Sequence, residues 1–258
     1  MIGLLLAGGA VAGLLAGLLG IGGGLVLVPL FTAVLVHQGL AATAAVPVAV
    51  GTSLATIVFT GASAAFAHHR RGALPGVWPP LALAGAFGAA LGAASVPLLG
   101  GAALKTLFAA FEAAVGLRFL LAARPPERPR PLPGLPRLLP PAAFTGWLSA
   151  LLGIGGGTLS VPWFAWLGLP LHRAVALSSA LGVGIAAAGA AAFAGLTPSA
   201  APGGSLGHVW LPAVAAVVPA SVLGAQAGAR LAHRLPVAAL RRLFGGVLLV
   251  TAVAMAWA

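Results

Sequence analysis

The sequence predicts an all-α polytopic membrane protein built of two inverted repeats, each a Gly-broken helical hairpin followed by three transmembrane helices. Three observations carry that reading. Of 258 residues, 60% are hydrophobic and only 6% are charged, whereas soluble surfaces carry ~25–35% Lys, Arg, Glu and Asp. The apolar residues form runs long enough to cross a bilayer. A Gly-rich motif returns in the second half of the chain with its surroundings in the same order.

The composition excludes several classes. A mean hydropathy of +1.11 makes lipid the solvent, which removes a soluble enzyme and a disordered chain. With no Cys there is no disulfide scaffold. The net charge of +11 does not mark a nucleic-acid binder. Such a surface gathers its basic residues on one face, but here they sit in short runs between apolar stretches, as in loops that fix a membrane topology. No Lys or Arg precedes the first apolar run, so Ile2 onward is read as mature protein rather than a signal peptide.

A span needs about 20 predominantly apolar residues. Six simple spans are expected: Ala42–Ala67, Val77–Leu99, Leu104–Leu121, Val175–Ala194, Val209–Ala229 and Val237–Ala256. Two longer segments, Ile2–Val36 and Leu138–Leu169, are each interrupted by Gly-Ile-Gly-Gly-Gly followed by a Pro. Between the halves, residues 123–141 hold eight prolines and four arginines. That composition makes a stiff, solvated linker with polyproline-like stretches. The chain therefore divides into a first transmembrane repeat at 1–122, the linker at 123–141 and a second repeat at 142–258.

The halves are copies. Gly20-Ile21-Gly22-Gly23-Gly24 returns as Gly153-Ile154-Gly155-Gly156-Gly157, and Val28-Pro29 returns as Val161-Pro162. Further on, Ala64-Ala65-Phe66-Ala67 matches Ala191-Ala192-Phe193-Ala194, Val77-Trp78 matches Val209-Trp210, and Leu107-Phe108 matches Leu243-Phe244. Internal repeats of this kind are characteristic of secondary transporters.

Parity fixes their relation. If each interrupted segment crossed once, both repeats would point the same way and the Arg-rich linker would lie opposite the last basic loop. If each segment enters and returns to its starting side, the second repeat is inverted. Arg70, Arg71, Arg118, Arg124, Arg128, Arg130, Arg137, Arg173, Arg230, Arg234, Arg241 and Arg242 then share one side, leaving Lys105 alone opposite. Arginine retention on the cytoplasmic side selects the second layout, with both termini outside and the linker cytoplasmic. Parity does not say whether the paired pieces fully span or are re-entrant.

Three consecutive glycines break a helix, and the freed backbone groups must be satisfied inside protein or a wet cavity. Gly22, Gly23 and Gly24, with Gly155, Gly156 and Gly157, are thus expected to face the interior. Helices restarting at Leu25 and Thr158 aim N–H groups and partial positive charge inward, where an anion binds. Glycine lets the backbone approach the ligand closely. Small hydroxyls follow on the next helix of each repeat: Thr52 and Ser53, then Ser178 and Ser179. Together these residues form a candidate substrate site without a basic side chain, to which the two breaks contribute equally. Gly9, Gly13 and Gly17, spaced by four, read instead as packing contacts, and Gly13→Ala is expected to be milder than a bulky change at either break. Glu112 is the one acid inside a predicted span, and an intramembrane carboxylate is a candidate proton carrier. Six His at span ends, two acids and no Cys give no metal site and no cofactor.

The twin G-I-G-G-G…V-P segments, the small-hydroxyl helix after each, and Ala67–Gly72 (Ala-His-His-Arg-Arg-Gly) resemble the TauE/SafE sulfite exporter family over nearly the full chain. The resemblance implies a multi-pass protein of the inner membrane that moves sulfite or organosulfur anions such as sulfoacetate. Families of this type often carry Thr-Ser in both copies, whereas the second copy here reads Ser178-Ser179. The expected function is therefore secondary transport of a small anion, not enzymatic catalysis. The alternative is a passive channel for a small neutral solute, although the Asn-Pro-Ala signature of aquaporin-like channels is missing. The partners are the anion and the lipid bilayer; a homo-oligomer is compatible with this reading, and nucleic acid is not.

The topology is open to cysteine labelling. Ala123→Cys should label from the cytoplasmic face, and Ser199→Cys and Ala258→Cys from the opposite one. Labelling of positions 123 and 258 from a single face would reject the inverted layout.

Overall fold

The structure, a computed structural model, describes residues 2–19, 23–70, 75–121, 131–231 and 237–257. Its elements run α1 (Ile2–Leu19), α2 (Gly24–His37), α3 (Ala42–Arg70), α4 (Trp78–Leu121), α5 (Leu135–Leu152), α6 (Gly157–Trp166), α7 (Leu171–Gly195), β1 (Ser205–Leu206), β2 (Val209–Trp210), α8 (Leu211–Leu231) and α9 (Val237–Trp257). The protein is all-α apart from one two-stranded antiparallel hairpin. Four helices among the described residues are long and apolar enough to cross a membrane: Ala42–Phe66, Trp78–Leu121, His172–Gly195 and Leu211–Gly228. The outward face is apolar, with Leu98 88% and Leu83 72% exposed. Side chains of that size are left uncovered where lipid covers them.

Helix lengths separate crossing elements from partial ones. The 44 residues of α4 hold two helical stretches, 78–99 and 101–121, each about 32 Å long at about 1.5 Å rise per residue and so matched to a hydrocarbon core of about 30 Å. The expected spans Val77–Leu99 and Leu104–Leu121 are joined within this element, and it bends at Gly100, where the backbone leaves helical geometry (φ 71°, ψ 162°). By the same rise, the 10 residues of α6 cover about 15 Å, half the core. This element cannot cross alone.

Three boundaries differ from the sequence reading. Val209 does not open a span; it pairs with Leu206 in the hairpin, and α8 starts at Leu211. Helix α5 begins at Leu135, within the stretch read as linker, because Pro136 falls in the first turn, where its missing N–H is no loss. Residues 122–130 of that stretch lie outside the described residues, as does Gly22. The restarting helices begin one residue before Leu25 and Thr158, and Pro29 and Pro162 lie inside them. At the second break the interruption therefore lies at the glycines and not at Pro162.

The halves interlock through backbone contacts at small residues. Gly13 of α1 lies against the Ser221 carbonyl of α8, while Gly146 of α5 lies against the Gly85 carbonyl of α4. Gly13 and Gly146 hold the same position relative to their Gly motifs. Helix α4 returns the contact, with Gly88 on the Ala143 carbonyl and Gly92 on the Trp147 carbonyl. In lipid the hydrophobic effect drives no helix association, so close packing of small residues supplies it. At the centre α3 crosses α7, with Gly61 3.4 Å from Val183 and Gly189 2.9 Å from Leu54 when a Cβ is built on each glycine.

This packing corrects the expectation at Gly13. A Cβ there would collide with main chain, which cannot rotate away as a side chain can, whereas one on Gly23 stands 3.2 Å from the Ala12 carbonyl. Gly13→Ala, Gly88→Ala and Gly146→Ala should each cost about 1–3 kcal/mol as overpacking, seen as a lower thermal unfolding midpoint in detergent. Gly3→Ala, with open space around it, should leave the midpoint unchanged.

Candidate functional site at the second helix break

The second break is held by two left-handed glycines. Gly153 closes α5 (φ 64°, ψ 23°) and Gly156 opens α6 (φ 73°, ψ −17°). A Cβ is strained in that region, so these positions depend on glycine. Between them, the Ile154 N–H donates to the Ser149 carbonyl at 3.0 Å, and the Ser160 N–H donates to the Gly156 carbonyl at 2.9 Å. The N–H groups of Gly157 and Thr158 precede the first intrahelical bonds of α6 and point out of its end. Residues 151–158 are all buried.

The described end of the first break meets the second. Gly24 lies against the Gly153 carbonyl, with its Cβ position 2.9 Å from the Ile154 Cα. Helix α3 passes beside both, and its Ser53 Oγ donates to the Gly153 carbonyl at 2.8 Å. On the other flank, Gly182 of α7 lies against the Gly155 carbonyl. Ser178 Oγ of α7 shares a 2.6 Å hydrogen bond with Ser160 Oγ, which is also 2.8 Å from the Gly156 carbonyl. Thus Gly24, Ser53, Gly155, Gly156, Gly157 and Ser178 of the expected site gather around one point, with Gly23 as the residue preceding α2.

Two of the expected residues are occupied elsewhere. Thr52 Oγ1 donates to the Val48 carbonyl at 2.6 Å and accepts the Trp210 N–H at 3.0 Å. Ser179 Oγ donates to Val175 of its own helix at 2.9 Å. The Thr52 bond fastens the hairpin to α3, where Gly51 lies 2.6 Å from the His208 carbonyl when a Cβ is built on it. The His208 ring meets Phe193 edge-on at 6.0 Å, and burial holds its imidazole below the usual range.

The structure adds residues that the sequence reading missed. Ser149 Oγ and Thr158 Oγ1 are buried and without a hydrogen-bond partner among the described residues. Ser149 Oγ and Thr145 Cγ2 each stand 3.6 Å from the Cβ position of Gly156. An unsatisfied buried hydroxyl costs about 1–3 kcal/mol, so two at one break mark a place suited to a polar guest. The first repeat lacks them. Applying the spacing of the two motifs, the counterparts of Ser149, Thr158 and Ser160 are Ala16, Leu25 and Leu27. The two breaks are therefore unequal in chemistry. A signal was legible in this comparison: small hydroxyls flank the break itself in the second copy, whereas the first broken hairpin carries Thr32, further along α2 and likewise buried without a hydrogen-bond partner among the described residues.

Comparison with known proteins agrees with this architecture. A model of the family described as sulfite exporter TauE/SafE matches residues 5–255.

The chain belongs to the TauE/SafE family.

A probable membrane transporter protein of Haemophilus influenzae is 31% identical over 256 residues, covering 96% of this chain and 95% of that one. Another probable membrane transporter protein, from Methanocaldococcus jannaschii, is 30% identical over 179 residues, covering 68% of this chain and 66% of that one. No solved structure matches. Membership makes this TauE/SafE protein a multi-pass membrane transporter rather than an enzyme.

Thr52 supplies a test of the hairpin contact. Thr52→Val removes the acceptor of the Trp210 N–H, a loss of about 0.5–1.5 kcal/mol for a hydrogen bond. Faster hydrogen exchange at Trp210, with exchange in α5 and α6 unchanged, is the expected result.

Proposed function

We propose that the chain is a secondary transporter of small anions, with sulfite or an organosulfur anion such as sulfoacetate as substrate, and that the anion sits at the second break. The observation that carries this reading is the pair of unpartnered buried hydroxyls, Ser149 Oγ and Thr158 Oγ1, beside the N-terminus of α6. That end offers N–H donors and about half a positive charge. An oxyanion exchanges its hydration for those donors and for hydroxyl protons, without a fixed cation. Distributed neutral donors let the anion leave again, which turnover requires. Gly155, Gly156 and Gly157 give it access to the backbone, Ser178 and Ser160 line the α7 side, and Ser53 fixes the break by holding the Gly153 carbonyl. Gly23 and Gly24 close the site from the first repeat, and Thr52 and Ser179 support it from outside direct contact.

The family's printed description as a sulfite exporter supports the substrate class. The inverted-repeat reading draws support from the recurring order of broken hairpin, long helix and two further helical segments. It is supported too by the equivalent glycines, Gly13 and Gly146, each lying on the other half. The arginine distribution supports a reading in which the protein lies in the inner membrane with its linker cytoplasmic.

Proteoliposomes loaded with labelled sulfite or labelled glycerol test the proposal. Sulfite should move and glycerol should not; glycerol flux alone would replace the anion site with a neutral-solute channel. A hydrogen bond to a charged group is worth about 1.5–3 kcal/mol, so Ser149→Ala and Thr158→Val should each weaken sulfite binding about tenfold or more. Gly156→Val should abolish transport, and Gly23→Val should cost less, provided each variant stays monodisperse in detergent. Equal losses at the two glycines would favour a site shared between the breaks.

A further inference from the structure

Far along α4, beyond its bend, a carboxyl group sits in a place the anion site does not use. Glu112 is fully buried. Its Oε1 accepts a hydrogen bond from Thr251 Oγ1 of α9 at 3.1 Å, while Oε2 has no partner among the described residues. One helical turn on, Gly116 and Gly245 bring α4 and α9 into main-chain contact: the Cβ position of each lies 3.0 and 2.9 Å, respectively, from the other's carbonyl. Here the last helices of the two halves meet.

The Thr251 hydroxyl has three acceptors for one hydrogen. Glu112 Oε1, the Val247 carbonyl and the Leu248 carbonyl all lie 3.1 Å from Oγ1. A hydroxyl donates once and accepts through its lone pairs. When the carboxyl is ionised, Thr251 donates to Oε1. When Oε1 carries a proton, that proton is donated to Thr251 Oγ1, and the threonine hydrogen turns to Val247 or Leu248. Both protonation states are thus hydrogen-bonded at this oxygen by rotation about a single bond.

The surroundings favour a proton over a metal ion. Glu112 and Glu127 are the only acids in the chain, and no group of three metal-binding side chains occurs among the described residues. A hard metal ion takes six or so oxygen ligands, and this site offers one carboxyl and one hydroxyl. The charged and titratable residues on the elements around it are Lys105 and Arg118 on α4, Arg241 and Arg242 on α9, His37 on α2, and His68, His69 and Arg70 at the end of α3. Helices α5 and α7 add Arg137, His172 and Arg173. None of the described ones is hydrogen-bonded to Glu112, whose partner is Thr251. We infer that Glu112 and Thr251 form a proton-binding site at the α4–α9 contact, and that the bound proton is the coupling ion for anion movement. The coupling rests on the function proposed above; the proton site itself does not. The proton is taken up from water on one face and returned to water on the other, with no covalent change in the anion.

Two measurements separate these levels. Infrared spectra of the purified protein should show a protonated-carboxyl stretch that titrates with pH, is missing in Glu112→Gln, and titrates at a different pH in Thr251→Val. A wild-type spectrum whose titration is unchanged by Glu112→Gln overturns the proton site. Sulfoacetate, ionised throughout the neutral range, then tests coupling in proteoliposomes. Wild type should accumulate it on a pH gradient, and Glu112→Gln should lose at least tenfold of that accumulation while still exchanging sulfoacetate across the membrane. Accumulation in Glu112→Gln equal to wild type, or accumulation driven by sodium without a pH gradient, overturns the coupling. Absence of sulfoacetate and sulfite movement in wild type instead overturns the anion reading and leaves the infrared result standing.

Discussion

A peptide group freed from its helix inside lipid must find its partner within the protein, and the arrangement of this molecule follows from that constraint. The second break frees the backbone from Gly153 to Gly156. Ser53 takes the Gly153 carbonyl, Gly24 and Gly182 lie against the break's carbonyls, and Ser160 turns back to Gly156. The hydrogen bonds come from Ser53 of α3 and Ser160 of α6, and the glycines let α2 and α7 close in on the same point. The glycines that carry the contacts have no side chain because main chain stands where it would be. Groups costing several kcal/mol each when unsatisfied in hydrocarbon thereby decide which helices become neighbours.

The same constraint distinguishes the two breaks. After the backbone is accounted for, two hydroxyls at the second break remain without partners. At the first break the equivalent positions are alanine and leucine, which make no such demand. Duplication supplied two similar scaffolds. Where the second helix restarts with the polar Thr158 and Ser160, the first restarts with Leu25 and Leu27, which join the core. Under the proposed function a division of labour between the halves follows, because a single anion needs one seat, whereas the seat needs support from all sides.

Much of this was legible from the residues. Composition gave the solvent, the paired Gly motifs gave the breaks, and the order of matching segments gave the recurrence of elements. Of the glycines and small hydroxyls expected to face the interior, Gly23, Gly24, Thr52, Ser53, Gly155, Gly156, Gly157 and Ser178 are buried, Ser179 is half-buried, and Gly22 lies outside the described residues. What stayed hidden was which acceptor each hydroxyl finds. Thr52 and Ser53 are adjacent, yet one reaches the Trp210 N–H and the other the Gly153 carbonyl. Neighbouring residues on a helix point in directions about 100° apart, so the choice depends on tertiary placement. Gly13 was hidden for a similar reason: four-residue spacing signals close packing, but not whether the neighbour is a yielding side chain or a rigid carbonyl.

In the proposed function, an anion held by neutral donors and a carboxyl held by a hydroxyl complement one another. Fixed cations near the substrate would strengthen binding, but they would also slow release in a low-dielectric interior, where charge interactions are strong. A seat made of N–H and O–H groups avoids that trap and leaves the anion's charge largely uncompensated by side chains. A proton taken up at Glu112 would supply a mobile compensating charge, bound only during part of the cycle. Its location favours such a role, since α4 carries both the glycines that lie against α5 and, beyond the bend at Gly100, the carboxyl that meets α9. Helix α5 ends at Gly153, the first residue of the break. A change in the α4–α9 contact is therefore connected to the second break through α4 and α5.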